Sequence, residues 1–164
     1  MVQQARNGIG GYASTGGWTL GAKQATALYA SESLIALTPE QQARLEDVAS
    51  HVFRPCCGNA TDFPDCNHGM AMLALLELMA SQNASTRDMF SAAKYVNAFW
   101  FPQQAAEVAM FFKASQNLDF DLIDPDLTMS SDFFSLNGCN AVHEWLAVNN
   151  VLSQVPGKQN SCGT

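Results

Sequence analysis

The feature that most limits the fold of this chain is a helix-length apolar run at residues 70–80, MAMLALLELMA. Apart from Glu77 the run has no charged or polar side chain, so a helix there is apolar nearly all round and is expected to be buried on most faces. The flanking residues predict that this helix begins at about Asn67 and ends at about Gln82. The rest of the chain must cover it, which makes it the predicted core helix.

Capping residues and prolines predict the helices on either side. Thr38 followed by Pro39 is typical of a helix start, and the apolar residues behind them keep helical spacing until Pro55. Ser85, with an acidic residue three positions later, predicts the start of another helix, which Pro102 must break or kink because proline lacks the amide hydrogen. The sequence therefore predicts helices before and after the apolar run.

Two more helices are predicted, at residues 103–115 and 139–153. Between them residues 117–131 are acidic, contain a proline and have no period, which predicts a long loop on the surface. No segment has the alternation of apolar and polar residues that is typical of a strand. The predicted fold class is all-α, an irregular bundle of about five helices with an irregular Gly-rich N-terminus and a long acidic loop.

Length and charge set further limits. With 164 residues, 48% of them hydrophobic, the chain has enough for one domain with a core. We assign this domain to residues 23–155, after an irregular segment at 1–22 and before a tail at 156–164.

The net charge is -7 and the eight Lys and Arg residues are scattered, so no basic face is available for nucleic acid or anionic membranes. The sequence contains no run of eighteen apolar residues, the length that a helix needs to span a bilayer.

The residues that can carry chemistry are concentrated at 56–72, CCGNATDFPDCNHGMAM, which holds three of the five cysteines. Thiolates and imidazoles are the ligands that soft and borderline metals prefer. Cys66 is expected at a helix N-terminus, where free backbone N–H groups favour its thiolate, and His68 follows two residues later. Cys56 and Cys57 lie on the preceding loop. The sequence therefore predicts a metal or redox site in this segment.

The spacing of the cysteines ranks the metals. Two adjacent cysteines cannot easily direct both sulfurs at one tetrahedral ion, and C-C-x8-C-x-H is not a zinc-finger pattern, which disfavours zinc. An iron–sulfur cluster accepts adjacent cysteines on different iron atoms and is the favoured cofactor, while copper(I) stays an alternative because of the neighbouring methionines. We expect the three thiolates of the segment to bind the centre, with either Cys162 or His68 completing the ligand set.

Each of these residues also has a simpler interpretation. Met70 and Met72 are best explained as core residues, as methionines within helices usually are. His68 is about equally well explained as a helix cap and as a ligand. Disulfides stay an alternative, although five cysteines is an odd number and a core of this size has little need of them. Cys139 is expected to be a small buried hydrophobe, whereas Cys162 is either a ligand or an exposed thiol.

Three functions remain open on the sequence alone. The first is a metal-centre protein in electron transfer, redox sensing or metal handling, with a redox protein as its partner. The second is a thiol-redox enzyme in which Cys66 is the nucleophile, His68 the acid or base and Cys57 the resolving thiol. The third is a disulfide-bonded binding module. Inward Glu77 and Glu107 could suggest a di-iron site, but the necessary Glu-x-x-His pairs are absent.

The segments RPCCGNATDFPDCNHGMAMLALLELMASQ and VNAFWFP and the ending SCGT resemble an uncharacterised bacterial family. Its members carry an RPCC…FPDCNHGMAM block and a short Gly-rich tail ending in a Cys-Gly pair, and the resemblance covers most of residues 37–115 and the tail. It implies a bacterial, exported and membrane-anchored protein, which fits a Gly-rich start that looks like the juncture left after removal of a signal or anchor. The residues that the resemblance favours as one set are Cys56, Cys57, Cys66, His68 and Cys162.

Overall fold

The computed structural model describes residues 8–12, 20–29 and 31–152, and this part of the chain is all-helical. Five helices have 13 to 15 residues, which confirms the predicted all-α bundle of about five helices. Within the described ranges no helix is both long and apolar enough to cross a membrane. The elements are α1 (Ala25–Leu28), α2 (Pro39–His51), α3 (Asn67–Ser81), α4 (Thr86–Trp100), α5 (Pro102–Gln116), α6 (Pro125–Met129), α7 (Ser131–Phe134), α8 (Leu136–Val148) and two 3₁₀ turns at Ile9–Gly11 and Phe120–Leu122.

The helix starts follow the capping residues. Thr38 accepts a hydrogen bond from the Gln41 backbone, and the Gln41 side chain accepts one from the Thr38 N–H, which completes a capping box at α2. Ser85 caps α4 as predicted. The last long helix begins at Leu136, three residues earlier than predicted, because Ser135 Oγ accepts the N–H of Gly138. Local hydrogen bonding therefore sets these boundaries.

The core helix α3 is buried or half-buried around most of its circumference. Met72, Leu76 and Ala80 have at most 1% of their surface exposed and face α2 and α4. Ala74 on the opposite side is exposed, and Leu78 is 47% exposed. Leu73, Leu75 and Met79 are partly buried and pack against the core, so the prediction of burial on most faces is confirmed apart from one exposed strip.

Residues 117–131 differ most from the sequence prediction of a surface loop. They contain a 3₁₀ turn and α6, and Ile123 and Met129 have at most 2% of their surface exposed. The cause is Lys94 of α4, which is 1% exposed and donates to the carbonyl oxygens of Phe120 and Ile123. These bonds satisfy the buried ammonium group and hold the segment against α4.

The α7–α8 corner is closed by a glycine. A Cβ on Gly138 would lie 2.5 Å from the carbonyl oxygen of Ser131 and 2.6 Å from the carbonyl carbon of Asp132. Both neighbours are backbone atoms, so they cannot move aside without shifting α7. The close approach of these two helices therefore requires a residue without a side chain.

We expect Gly138→Ala to lower the free energy of unfolding by about 1–3 kcal/mol, because the added methyl group overpacks this corner. Urea denaturation followed by circular dichroism measures the change. The control is Asn140→Ala, at an exposed position of the same helix, which should leave the midpoint nearly unchanged. Equal midpoints for the two variants would show that the corner can relax at no cost.

Candidate metal centre

The loop between α2 and α3 is folded back onto the end of α2. Phe53 and Ala60 form an antiparallel bridge, and both the N–H and the Oγ1 of Thr61 donate to the carbonyl oxygen of Val52. Thr61 is fully buried, so these bonds are shielded from water. The loop therefore returns to the start of α3 and brings two stretches of cysteine-containing chain together.

Three thiols meet where the loop joins α3. The sulfur atoms of Cys56, Cys57 and Cys66 lie within 4.8 Å of one another, close enough to hold a metal ion. The sulfur atoms of Cys56 and Cys66 are 3.6 Å apart, and the four cysteines of the described part, including Cys139, are free. We refer to Cys56, Cys57 and Cys66 as the three-thiol group. Each of its members is half-buried, so the group lies at the protein surface.

Cys66 is the N-cap of α3, as the sequence predicted. Its Sγ accepts hydrogen bonds from the Gly69 N–H at 3.4 Å and from Arg54 Nε at 3.3 Å. Hydrogen bonds from the Cys56 and Cys57 thiols, followed by those from Arg54 and Gly69, hold the pKa of the Cys66 thiol below its ordinary value. The pKa of Cys56 is raised by its hydrogen bonds with Cys57 and Cys66. The first negative charge of the group therefore resides on Cys66.

Arg54 organises the site and was missed in the sequence reasoning. Its side chain is 1% exposed, and besides Cys66 it donates to Asp65 Oδ1 at 2.6 Å and to the carbonyl oxygens of Phe63 and Asn59. Burial alone would lower the pKa of its guanidinium, but the hydrogen bond to Cys66 and the nearby negative groups raise it. The available signal was a single arginine between apolar residues, separated from the cysteine pair by Pro55 alone, in a chain with only 14% charged residues.

Gly69 makes room for this arginine. A Cβ there would lie 2.5 Å from Arg54 Nη2 and 2.6 Å from Cζ, so any other residue would displace the guanidinium. Asp65 completes the arrangement, since its Oδ2 accepts from Asn59 Nδ2 at 2.8 Å and its Oδ1 lies 3.6 Å from Sγ of Cys57. The same carboxylate thus contacts both the arginine and a thiol.

The other predicted site residues are His68 and Cys162. The ring of His68 packs against Trp100 and Phe101, with centroid distances of 5.3 Å and 4.8 Å, and it does not belong to the three-thiol group. Its role as a ligand stays a prediction. Cys162 lies outside the described residues, so its role is also still a prediction. Met72 is buried in the core, which confirms the structural interpretation of that methionine.

The acidic residues of the described helices do not form a cluster that could bind a metal ion. Glu107 is 8% exposed, accepts from Gln103 Nε2 and pairs with His143 Nδ1 at 3.1 Å. Among the described residues, the three-thiol group is the one cluster of three or more potential metal ligands. The geometry gives no support to a di-iron site.

No known protein family, curated protein or solved structure matches this chain. The resemblance to a bacterial family therefore stays a prediction. The function has to be argued from the site itself.

We expect Asp65→Asn to lower the free energy of unfolding by about 2 kcal/mol, because it leaves the buried Arg54 without its carboxylate partner. The matched control is Asp119→Asn, which removes an ion pair with Lys113 that is more than half exposed on both sides. That change should cost less than about 1 kcal/mol. Chemical denaturation of both variants measures the difference, and equal losses would contradict the importance of burial.

We expect Cys139 to resist thiol reagents in the folded protein. Burial, with the nearby charge of Glu107, raises the pKa of Cys139 to about 12, so at pH 8 its thiol is protonated as well as shielded. Mass spectrometry after brief alkylation at pH 8 should show a label on Cys66, whose pKa is lowered, and none on Cys139. Unfolding in guanidinium should expose Cys139 and allow it to be labelled. Labelling of Cys139 in the folded protein at the rate of this unfolded control would contradict its burial.

Proposed function

We propose that the protein binds a metal centre through the thiolates of Cys56, Cys57 and Cys66. The observation that carries this proposal is the placement of their three sulfur atoms within 4.8 Å of one another. Thiolates are the ligands that select copper(I), zinc and iron–sulfur clusters. Arg54 holds the two parts of the site together, which makes the group largely preformed for a ligand.

The distances between the sulfur atoms favour a single ion. With metal–sulfur bonds of about 2.3 Å, two thiolates on one tetrahedral ion are about 3.8 Å apart. Cys56 and Cys66 are separated by 3.6 Å, so one ion fits between them with little movement. Three thiolates satisfy copper(I), which makes it the first choice, whereas zinc requires a fourth ligand from His68 or Cys162.

An iron–sulfur cluster, the cofactor that the sequence favoured, is the second candidate. The adjacency of Cys56 and Cys57 supports it, because two neighbouring cysteines can bind different irons. The short sulfur–sulfur distances disfavour it, because thiolates on different irons are held apart by the cluster between them. Binding a cluster would therefore require the three-thiol group to open.

The position of the site favours metal handling or redox sensing over a structural role. The core contains buried residues from all five long helices, among them Val48, Leu76, Ala93, Val108 and Leu146. Such a core does not depend on a metal for stability. Because the thiols are half-buried at the surface, an ion held there could be exchanged with a partner protein. An exported, membrane-anchored bacterial protein, as the resemblance implies, would encounter both metals and oxidants.

Anaerobic titration of the reduced full chain with copper(I), and separately with zinc, tests the proposal. We expect one copper(I) per chain by elemental analysis. Replacing Cys56, Cys57 or Cys66 by serine should weaken binding at least about 10-fold, since loss of a ligand costs no less than loss of a supporting residue. Cys139→Ser is the matched control and should bind as the parent does. Failure of the reduced chain to bind any of these metals would refute the proposal.

A second arm of the titration identifies the metal and the fourth ligand. Copper(I) affinity should survive both His68→Ala and Cys162→Ser, whereas zinc affinity should fall in one of the two variants. Reconstitution with iron and sulfide gives a coloured protein only if a cluster forms. Stoichiometric cluster formation with weak copper(I) binding would replace the single-ion assignment.

A further inference from the structure

We propose that Cys66 reduces hydroperoxides and is then joined to Cys56 in a disulfide, an oxidation that dismantles the metal centre. The cysteine reaction stands on the geometry of the three-thiol group. Only the consequence for the metal depends on the proposed function.

Cys66 has the environment of a nucleophilic thiolate. Its Sγ accepts hydrogen bonds from Arg54 Nε and from the Gly69 N–H at the start of α3, two donors that stabilise negative charge on sulfur. The side chain is half-buried, so a small peroxide can reach it. The positive charge of Arg54 beside the sulfur also favours the anionic oxygen that leaves when the peroxide bond breaks.

Cys56 is the best-placed resolving thiol. Its Sγ lies 3.6 Å from that of Cys66, so a disulfide of about 2.05 Å requires an approach of about 1.5 Å. The Cys57 thiol, besides its contact with Cys66, also contacts Asp65 Oδ1 at 3.6 Å and the carbonyl oxygen of Asn59 at 3.9 Å, which hold it away from a disulfide with Cys66. A disulfide between the adjacent Cys56 and Cys57 would be strained, because neighbouring Cα atoms are about 3.8 Å apart and disulfides prefer about 4.4–6.8 Å.

The reaction consumes one hydroperoxide and two thiols. The Cys66 thiolate attacks the terminal oxygen of ROOH, so that an S–O bond forms, the O–O bond breaks and the RO⁻ group leaves as ROH after taking a proton from solvent. The sulfur of Cys56 loses its proton to solvent and attacks the resulting Cys66 sulfenic acid. An S–S bond then forms, the S–O bond breaks, and hydroxide leaves as water.

This oxidation removes two of the three metal ligands at once. A disulfide sulfur carries no negative charge, so Cys57 would be the one thiolate left in the three-thiol group. The expected consequence is loss of the bound ion. A dithiol or phosphine reductant should restore binding, since the step changes only the two sulfurs.

The test treats the reduced, metal-free full chain with one equivalent of hydrogen peroxide, alkylates the remaining thiols and cleaves before aspartate. Cys56 and Cys57 then lie in fragment 47–61, Cys66 in fragment 65–87, and the other two cysteines in fragment 132–164. We expect fragments 47–61 and 65–87 to be joined, with the alkyl group on Cys57. Absence of a disulfide, a link through Cys57 or a link to fragment 132–164 would overturn the proposal.

Two variants form a matched pair for the same experiment. Cys57→Ser should still form the cross-link between fragments 47–61 and 65–87, because Cys56 and Cys66 are both retained. Cys56→Ser should form none between these fragments and should accumulate a sulfenic acid on Cys66 that dimedone traps. Equal cross-linking by both variants, or dimedone trapping at a different cysteine, would overturn the assignment of roles.

Zinc is the probe for the metal arm because it does not itself react with peroxide. Peroxide should release zinc from the loaded chain in step with formation of the disulfide, as read by a chromogenic chelator, and reduction should restore uptake. Retention of zinc after complete disulfide formation would overturn the coupling to the metal. If the reduced chain forms the disulfide but binds no metal, the proposed function fails while the cysteine reaction stands.

Discussion

The geometry of the site depends on the buried guanidinium of Arg54. A buried charge is costly unless it is paired and hydrogen-bonded, and this one is satisfied by Cys66 Sγ, Asp65 and two backbone carbonyl groups. These four acceptors all come from residues 59–66, so a single arrangement of the loop can satisfy the arginine. Gly69 is the complementary requirement, because a side chain there would occupy the space of the guanidinium. The thiols therefore converge because the loop folds so that its acceptors can bind the buried guanidinium of Arg54.

The loop is also tied to the bundle through a second buried cation. Lys94 holds residues 120–123 against α4, and the same segment continues to Met129, whose carbonyl oxygen accepts the N–H of Phe53. Asn97 of α4 donates to the carbonyl oxygen of Phe53 from the other side. Both backbone groups of the residue before Arg54 are therefore bound to the core. This places the arginine in register with the start of α3 and explains how a loop can hold a preformed site.

The parts of the structure that sequence reasoning predicted are those decided by neighbouring residues. The caps at Thr38 and Ser85 and the position of Cys66 at the start of α3 depend on hydrogen bonds across three residues. The errors concern residues whose partners are distant in sequence. Lysine and arginine are seldom buried, so general expectation argued against Lys94 holding residues 120–123 on α4 and against Arg54 connecting parts of the site, even though Arg54 stands alone among apolar residues. The expectation that adjacent cysteines cannot direct both sulfurs at one ion likewise took no account of the fold of the loop, which brings the sulfurs of Cys56 and Cys57 into one group.

The proposed metal binding and the proposed oxidation would compete for the same sulfur atoms, and the charges of the site explain why. Asp65 and the Cys66 thiolate more than balance the single positive charge of Arg54, so ionising Cys56 and Cys57 as well requires added positive charge, which a metal ion supplies. The ion then occupies the sulfur electron pairs that would otherwise attack a peroxide. In the proposed reaction, an empty site leaves Cys66 as the reactive thiolate, with Cys56 Sγ 3.6 Å away. In this proposal, occupancy by metal and susceptibility to oxidants are opposing properties of one preformed cluster, and both depend on the contacts that Arg54 makes there.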